Sequence, residues 1–277
     1  FLPGGAANVA NNIRALGAGA GVVGVVGDDE SGEILRNRLK ERGVDVSGIF
    51  VDKTRPTTRK TRIWASHQHQ VVRVDWESRR GIDPEVLERI VHYLQESADS
   101  ADAVLISDYS KGMITQETAQ AAVRTAHLRG CASACNAKPA AARYFRGVGV
   151  MTMNQSEASA ASGIGIEDTS DVEEAGEAIL RETGCRNLVI TRGSRGLSVF
   201  EGTGEVCHIP AVQSEVYDVA GAGDTVVSAL VLTSCSGLDL PSAAVIANCA
   251  GGAVVRKVGV ATTSVGEIAA ILNTVQK

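Results

Sequence analysis

Along its 277 residues the chain switches repeatedly between stretches where apolar residues run together or alternate and stretches where they recur every three to four positions. Strands and helices following one another produce that pattern, and it predicts an α/β fold: a three-layer α/β/α domain with helices over a mainly parallel central sheet. Residues 4–16 read as a helix, 22–26 as a buried strand and 30–42 as a helix with a polar face. Residues 57–64 and 70–76, rich in Thr, Val and Trp, read as strands joined by a hairpin turn at Ser66-His67-Gln68-His69. A helix over 83–97, a strand over 103–106, a helix over 115–128 and a short strand over 132–136 follow. The second half continues with a strand over 149–152, helices over 155–161 and 172–183, a strand over 187–191 and a strand pair at 197–200 and 206–209. Helices over 222–235 and 240–257 complete the series. No low-complexity linker interrupts it, so residues 1–277 read as one domain. A small β excursion over about 46–75 breaks the alternation, as a lid over an active site would.

Composition narrows the function classes. Hydrophobic residues make up 44% and charged residues 21%, which suits a folded globular domain. Lys and Arg number 27 against 32 Asp and Glu, a net charge of −5 that opposes nonspecific attraction to nucleic acid or anionic membrane. With no apolar run of the roughly 18 residues that span a bilayer, and no signal-peptide pattern, a cytosolic chain is expected. Its six cysteines (131, 135, 185, 207, 235 and 249) form no C-x-x-C pair and read as small buried hydrophobes. His67 and His69 flank Gln68 without a third ligand nearby, so a hairpin tip explains them better than a metal does.

The most informative segment is Asp218-Val219-Ala220-Gly221-Ala222-Gly223-Asp224-Thr225, which leads into an apolar helix. Two glycines opening a helix leave N–H groups unpaired with the positive end of the helix dipole behind them, a ready anion site. Asp224, in the first turn, would face the same spot and take a hydroxyl proton as a phosphoryl group moves. Alone, Gly-Ala-Gly-Asp is better explained by an acidic residue favouring a helix start. Near the other end, Gly4-Gly5-Ala6-Ala7-Asn8 opens a helix with small residues that admit a polar ligand or simply allow close packing. Asn154-Gln155-Ser156-Glu157 has the form of a capping box; its Asn-Gln-Ser also matches a glycosylation acceptor, which a cytosolic setting leaves unused. Gly19 to Gly24 fits G-x-G-x-x-G but leads into a strand, so a dinucleotide fingerprint is not supported. No G-x-x-x-x-G-K-[ST] occurs, which leaves Gly221 and Gly223 as the best phosphate cradle.

Around these motifs the chain resembles the ribokinase-like (pfkB) carbohydrate kinases, whose Asp-Thr-x-Gly-Ala-Gly-Asp pattern is met at 218–224 except for Val219 in place of Thr. The resemblance implies ATP and Mg²⁺ as cofactors. It makes Asp224 the catalytic base and gives Gly221, Ala222 and Gly223 the anion hole. Gly4, Gly5 and Asn8 resemble the family's first sugar-binding signature. Asn154 and Glu157 resemble its Asn-x-x-Glu element, whose glutamate helps hold Mg²⁺, commonly through water. Asn136-Ala137-Lys138-Pro139 matches a position near the nucleotide phosphates where heptose-phosphate kinases usually carry Asp-Pro-Lys; Asn136 and Ala137 depart from that pattern, and only Lys138 is carried over. Thr191, Arg192 and Gly193 would begin the nucleotide site, with Asn248, Gly252 and Gly259 on its adenine side.

Within the family, the nearest resemblance is to the kinase domain of bifunctional heptose-phosphate kinase and adenylyltransferase enzymes, and it covers almost the whole chain. The blocks that carry it are Thr57-Thr58-Arg59-Lys60-Thr61-Arg62, Gln70-Val71-Val72-Arg73-Val74-Asp75, Ser107-Asp108-Tyr109-Ser110-Lys111-Gly112 and Val216-Tyr217-Asp218. Lys60, Arg62, Arg73 and Lys111 would gather cations on the lid and cleft rim for a phosphorylated substrate, with Asp108 beside them, although any one of the four alone reads as solvated charge. The implied reaction is phosphorylation by ATP of the anomeric hydroxyl of D-glycero-D-manno-heptose 7-phosphate, giving the 1,7-bisphosphate used for lipopolysaccharide core sugars. Rival readings are a kinase of the same fold acting on another sugar or a nucleoside and, from a different class, an inactive nucleotide-binding or scaffolding relic. Family members carry a first strand, a sugar-contacting aspartate and part of the lid ahead of the glycine pair, so a truncated start with reduced stability and activity is expected. The resemblance also implies a fused or separate adenylyltransferase, and a homodimer formed through residues 46–75.

Overall fold

A computed structural model describes residues 2–65, 69–78, 80–97, 101–213 and 215–275; the hairpin turn expected at 66–69 falls largely outside them. Gly5, at φ 59°, turns the chain into α1 (Ala6–Ala15). A parallel pair follows, β1 (Gly24–Val26) with β2 (Ile49–Val51), connected through α2 (Glu30–Glu41), whose first turn is capped by Asp29 accepting from the Gly32 amide. Next come β3 (Arg59–Ala65) and β4 (His69–Trp76), antiparallel to each other and separate from the other sheets. Residues 49–51, inside the stretch assigned to the β excursion, thus pair with β1, and the two-stranded sheet itself runs from 59 to 76.

The central sheet begins after α3 (Pro84–Ser97). Its strands are β5 (Ala103–Ser107), β6 (Ala132–Asn136), β7 (Val150–Asn154), β8 (Asn187–Thr191), β9 (Leu197–Phe200) and β10 (Val206–Ile209). They lie side by side in chain order; β5 to β8 are parallel, and β9 and β10 turn antiparallel. Between them run α4 (Gln116–Arg129), a 3-10 turn at Pro139–Phe145, α5 (Gln155–Ser162) and α6 (Thr169–Thr183), and after them α7 (Ala222–Cys235), α8 (Leu240–Val254) and α9 (Val265–Val275). The helix boundaries follow local chemistry. Thr115, Asn154 and Asp168 each open a helix through a capping box, and Gly130, Gly163 and Gly184 close the same three in the left-handed conformation.

Strand residues alternate between two cores. Leu188 and Ile190 belong to the buried cluster that includes Ala122 and Val123 of α4 and Ile179 of α6, while Val189 between them belongs to the cluster that includes Leu230 of α7 and Ala247 of α8. Apolar burial on both faces explains why β8 reads as an unbroken hydrophobic run. Close contact depends on Gly176: a Cβ there would lie 2.4 Å from the ring of Phe200, which is itself 1% exposed, so α6 reaches the sheet only with glycine at this position. Because β5 to β8 are parallel, their C-terminal ends open onto one edge, where a crevice forms in folds of this kind. Among the described residues, no helix is long and apolar enough to cross a membrane.

Candidate active site

Four consecutive parallel strands deliver four loops to that edge. Tyr109 follows β5, Asn136 and Lys138 end and follow β6, Asn154 and Glu157 join β7 to α5, and Thr191 ends β8. Opposite them stands the start of α7, which Gly221 enters at φ 82°. Together they enclose a cleft of about 180 Å³. Asp224 reaches it from the first turn of α7 and is only 5% exposed.

Both oxygens of Asp224 are held. Asn8 of α1 donates from Nδ2 to Oδ2 at 2.7 Å, and the Tyr109 hydroxyl donates to Oδ1 at 2.6 Å. The same two helices are stitched further along: Thr225 donates to Asn12 Oδ1 at 3.0 Å and Ser228 to the Val9 carbonyl at 3.3 Å. The glycine-opened start of α1 and the Gly-Ala-Gly-Asp turn therefore meet, as the motif order requires. A Cβ on Gly221 would lie 3.1 Å from Asn8 Nδ2, so glycine allows that approach as well as the left-handed backbone. Burial pushes the Asp224 carboxyl above the usual carboxylate range, while the Asn8 and Tyr109 hydrogen bonds and the charge of Lys138 pull the other way.

Lys138 is ion-paired with Glu157 Oε1 and lies 5.8 Å above the centre of the Tyr109 ring. The other Glu157 oxygen accepts from the Asn154 amide at 2.8 Å, and Asn154 Oδ1 accepts from the Glu157 amide at 2.9 Å. The capping box expected from the sequence is closed, and it fixes Glu157 at the cleft. Among the described residues no three His, Cys, Asp or Glu side chains converge as a metal cage. One fixed carboxylate beside a glycine-opened helix start is a donor set that fits Mg²⁺ as phosphates and water usually hold it, with few protein ligands.

The expected substrate cations gather on one face of the β3–β4 sheet and its neighbourhood, but they are not bare. Lys60 pairs with Asp75 at 3.1 Å and Glu77 at 3.9 Å, Arg73 with Asp75 at 3.0 Å, and Lys111 with Glu77 at 2.6 Å. Burial would raise Asp75, yet Lys60 and Arg73 hold it below its ordinary range; the Lys111 contact does the same for Glu77. Arg62 is exposed and sits directly across from Arg73, whose charge Asp75 already pairs; Arg62 itself has no carboxylate paired to it among the described residues. These four side chains lie outside the lining of the cleft. Asp108 is 2% exposed; its Oδ1 accepts from the Ser110 amide at 2.7 Å while Oδ2 has no partner.

Of the residues expected at the nucleotide, Thr191 lines the cleft, and Gly193 opens a short 3-10 turn at φ 57° behind Arg192. Asn248 donates to the Pro210 carbonyl at 2.8 Å, and a Cβ on Gly252 would lie 3.1 Å from Val212, so both pack α8 against the segment after β10 and lie outside the cleft lining. Gly259, at φ 77°, donates to Asp218 Oδ2 at 3.0 Å and buttresses the turn before α7. Five lining residues lie outside the expected site: Tyr109 stands inside one of the blocks that carry the resemblance, Asn136 departs from the family pattern, and Thr152, Met153 and Val226 carry no motif. A second cavity of about 270 Å³, at the β9–β10 hairpin beside Pro241, holds Glu201 and Glu205 and no cation, so it offers nothing to phosphate.

The chemistry converging here, an anion-binding helix start with a buried carboxylate in its first turn, is that of a phosphoryl-transferring enzyme. The pattern of the pfkB family carbohydrate kinases matches residues 1–265, and the chain belongs to that family. Among curated relatives it is 44% identical over 265 residues to the "Bifunctional protein HldE" of Geobacter sulfurreducens, covering 96% of this chain and 54% of that protein. It is 40% identical over 270 residues to the protein of the same name from Trichlorobacter lovleyi, covering 98% and 55%. The chain thus spans about half the length of the relatives it matches. The fold is shared with Escherichia coli phosphofructokinase-2 in complex with fructose-6-phosphate (TM-score 0.80, 19% identity, 99% of this chain and 88% of that one). It is shared also with Arabidopsis thaliana ribokinase complexed with ribose and ATP (TM-score 0.76, 18% identity, 96% and 86%).

Proposed function

We propose that this chain is the kinase half of a heptose-phosphate enzyme, moving the γ-phosphoryl group of ATP to the anomeric hydroxyl of D-glycero-D-manno-heptose 7-phosphate. The single observation that carries the reading is Asp224: a carboxylate with one donor on each oxygen, in the first turn of a glycine-opened helix, facing a cleft. Its free lone pairs suit a sugar hydroxyl, whose proton it takes as the oxygen attacks phosphorus and ADP leaves. The amides of Gly221 and Gly223 suit the charge that grows on the phosphoryl oxygens, whereas the expected third donor, the Ala222 amide, already donates to the Val219 carbonyl at 3.2 Å. Lys138 adds a cation, and Glu157 is the residue that would help hold Mg²⁺, which neutralises phosphate charge when bound.

Heptose phosphate is favoured over an unphosphorylated sugar by the kinship to the two-activity relatives and by Arg62, an exposed cation with no carboxylate paired to it among the described residues. ATP consumption across a panel of phosphorylated and unphosphorylated sugars tests this: turnover is expected with the heptose 7-phosphate, and a preference for a sugar without phosphate would remove the assignment. In the complete protein an adenylyltransferase, fused or separate, is the expected companion activity. A homodimer through the β3–β4 sheet is supported by its other face, where Ile63 is 50%, Val72 42% and Trp76 45% exposed. Light scattering is expected to give twice the chain mass; a monomer at high concentration would count against it.

A further inference from the structure

We infer that Tyr109 is a positioning residue for the base: its hydroxyl fixes the rotation of the Asp224 carboxylate and keeps it ionised for the incoming sugar hydroxyl. The inference rests on Asp224 being that base. Tyr109 is built into its place from three sides. The start of α1 flanks the ring: a Cβ on Gly5 would stand 3.4 Å from it, an ordinary contact distance, so this backbone lies directly against Tyr109. Lys138 covers the ring's face. Behind it, Ser110 adopts φ 53°, a left-handed conformation that non-glycine residues avoid, and the buried Asp108 carboxylate holds it there through the Ser110 amide.

The contact also decides where the proton sits. Burial and the Asp224 charge push the Tyr109 phenol far above its ordinary range, so it keeps its proton and donates it to Asp224. The titratable groups around Asp224 are Tyr109, Lys138 and, paired to Lys138, Glu157; α1 presents the neutral Asn8. Of these, Tyr109 and Asn8 alone hydrogen-bond the carboxylate, one on each oxygen, which leaves it two of its about four acceptor directions. In the transfer the sugar oxygen loses its proton to Asp224 and forms the bond to phosphorus as the bond to ADP breaks, and Tyr109 donates throughout.

The test is Tyr109→Phe, which keeps the ring and deletes the donor. In ligand-free protein with ¹³C-labelled aspartate, the Asp224 carboxyl resonance, assigned by its loss in Asp224→Asn, is expected to titrate about one pH unit or more higher than in the parent. The acid limb of kcat/KM should move up with it while KM for ATP holds. A second variant with 3,5-difluorotyrosine at 109, a stronger donor of the same shape, should shift the titration downward, and it decides the matter if the phenylalanine variant fails to fold. An unmoved midpoint in a folded variant, or the same direction of shift in both, overturns the inference. If Asp224→Asn turns over like the parent, the base assignment fails instead, and the resonance still reports on the Tyr109 contact.

Discussion

Replacing Asp224 with Asn should lower turnover by about 10²- to 10⁴-fold, the range a positioned general base contributes. The amide keeps the side chain's size and one acceptor oxygen, so the contact with Tyr109 or Asn8 survives in part, but it takes no proton. ATP binding should be nearly unchanged, because the helix-start amides, Lys138 and Thr191 remain. Single-turnover rates alongside nucleotide binding by calorimetry separate the two effects. Turnover within a few-fold of the parent would remove Asp224 from the chemistry; loss of ATP affinity in step with turnover would assign it to the nucleotide site.

The second large effect is expected at Gly221. Its φ of 82° costs an alanine about 1–2 kcal/mol, and the added Cβ would press on Asn8 Nδ2 at 3.1 Å. Either the turn opens, misaiming the amides of the anion hole, or Asn8 withdraws from Asp224. Loss of one aligned oxyanion donor typically costs 10²- to 10³-fold in kcat, and Gly221→Ala should fall by at least about 10²-fold with its circular dichroism intact. A variant that folds and turns over normally would show that these amides take no part.

How much of this could be read from residues alone depends on how local each cause is. The spans of β6, β8, β9, β10 and α7 coincide with the expected ones, because short apolar runs bounded by Gly, Asn or Thr carry their own start and stop. Three-residue β2 is too short to show a period, and α9 extends past the elements that periodicity predicts. The Asn154 and Glu157 capping box was legible for the same local reason, whereas the Lys138 partner of Glu157 arrives from another strand. Strand alternation puts Lys60, Arg62, Arg73 and Asp75 on one face, so the neutralisation of those cations had a readable signal in Asp75. Nothing comparable marks Tyr109, whose target lies 115 residues away and whose turn runs through a left-handed serine with no glycine to advertise it.

The bond from Asn8 to Asp224 spans 216 positions. Long-range closures of this sort form late, after the entropy of the intervening loop has been overcome. On a ribosome, Gly4, Gly5 and the whole central sheet emerge before Asp224 does. Nascent polypeptide that stops short of α7 can therefore fold much of its scaffold yet lacks the carboxylate that closes the cleft, so the complete site forms only once α7 has emerged.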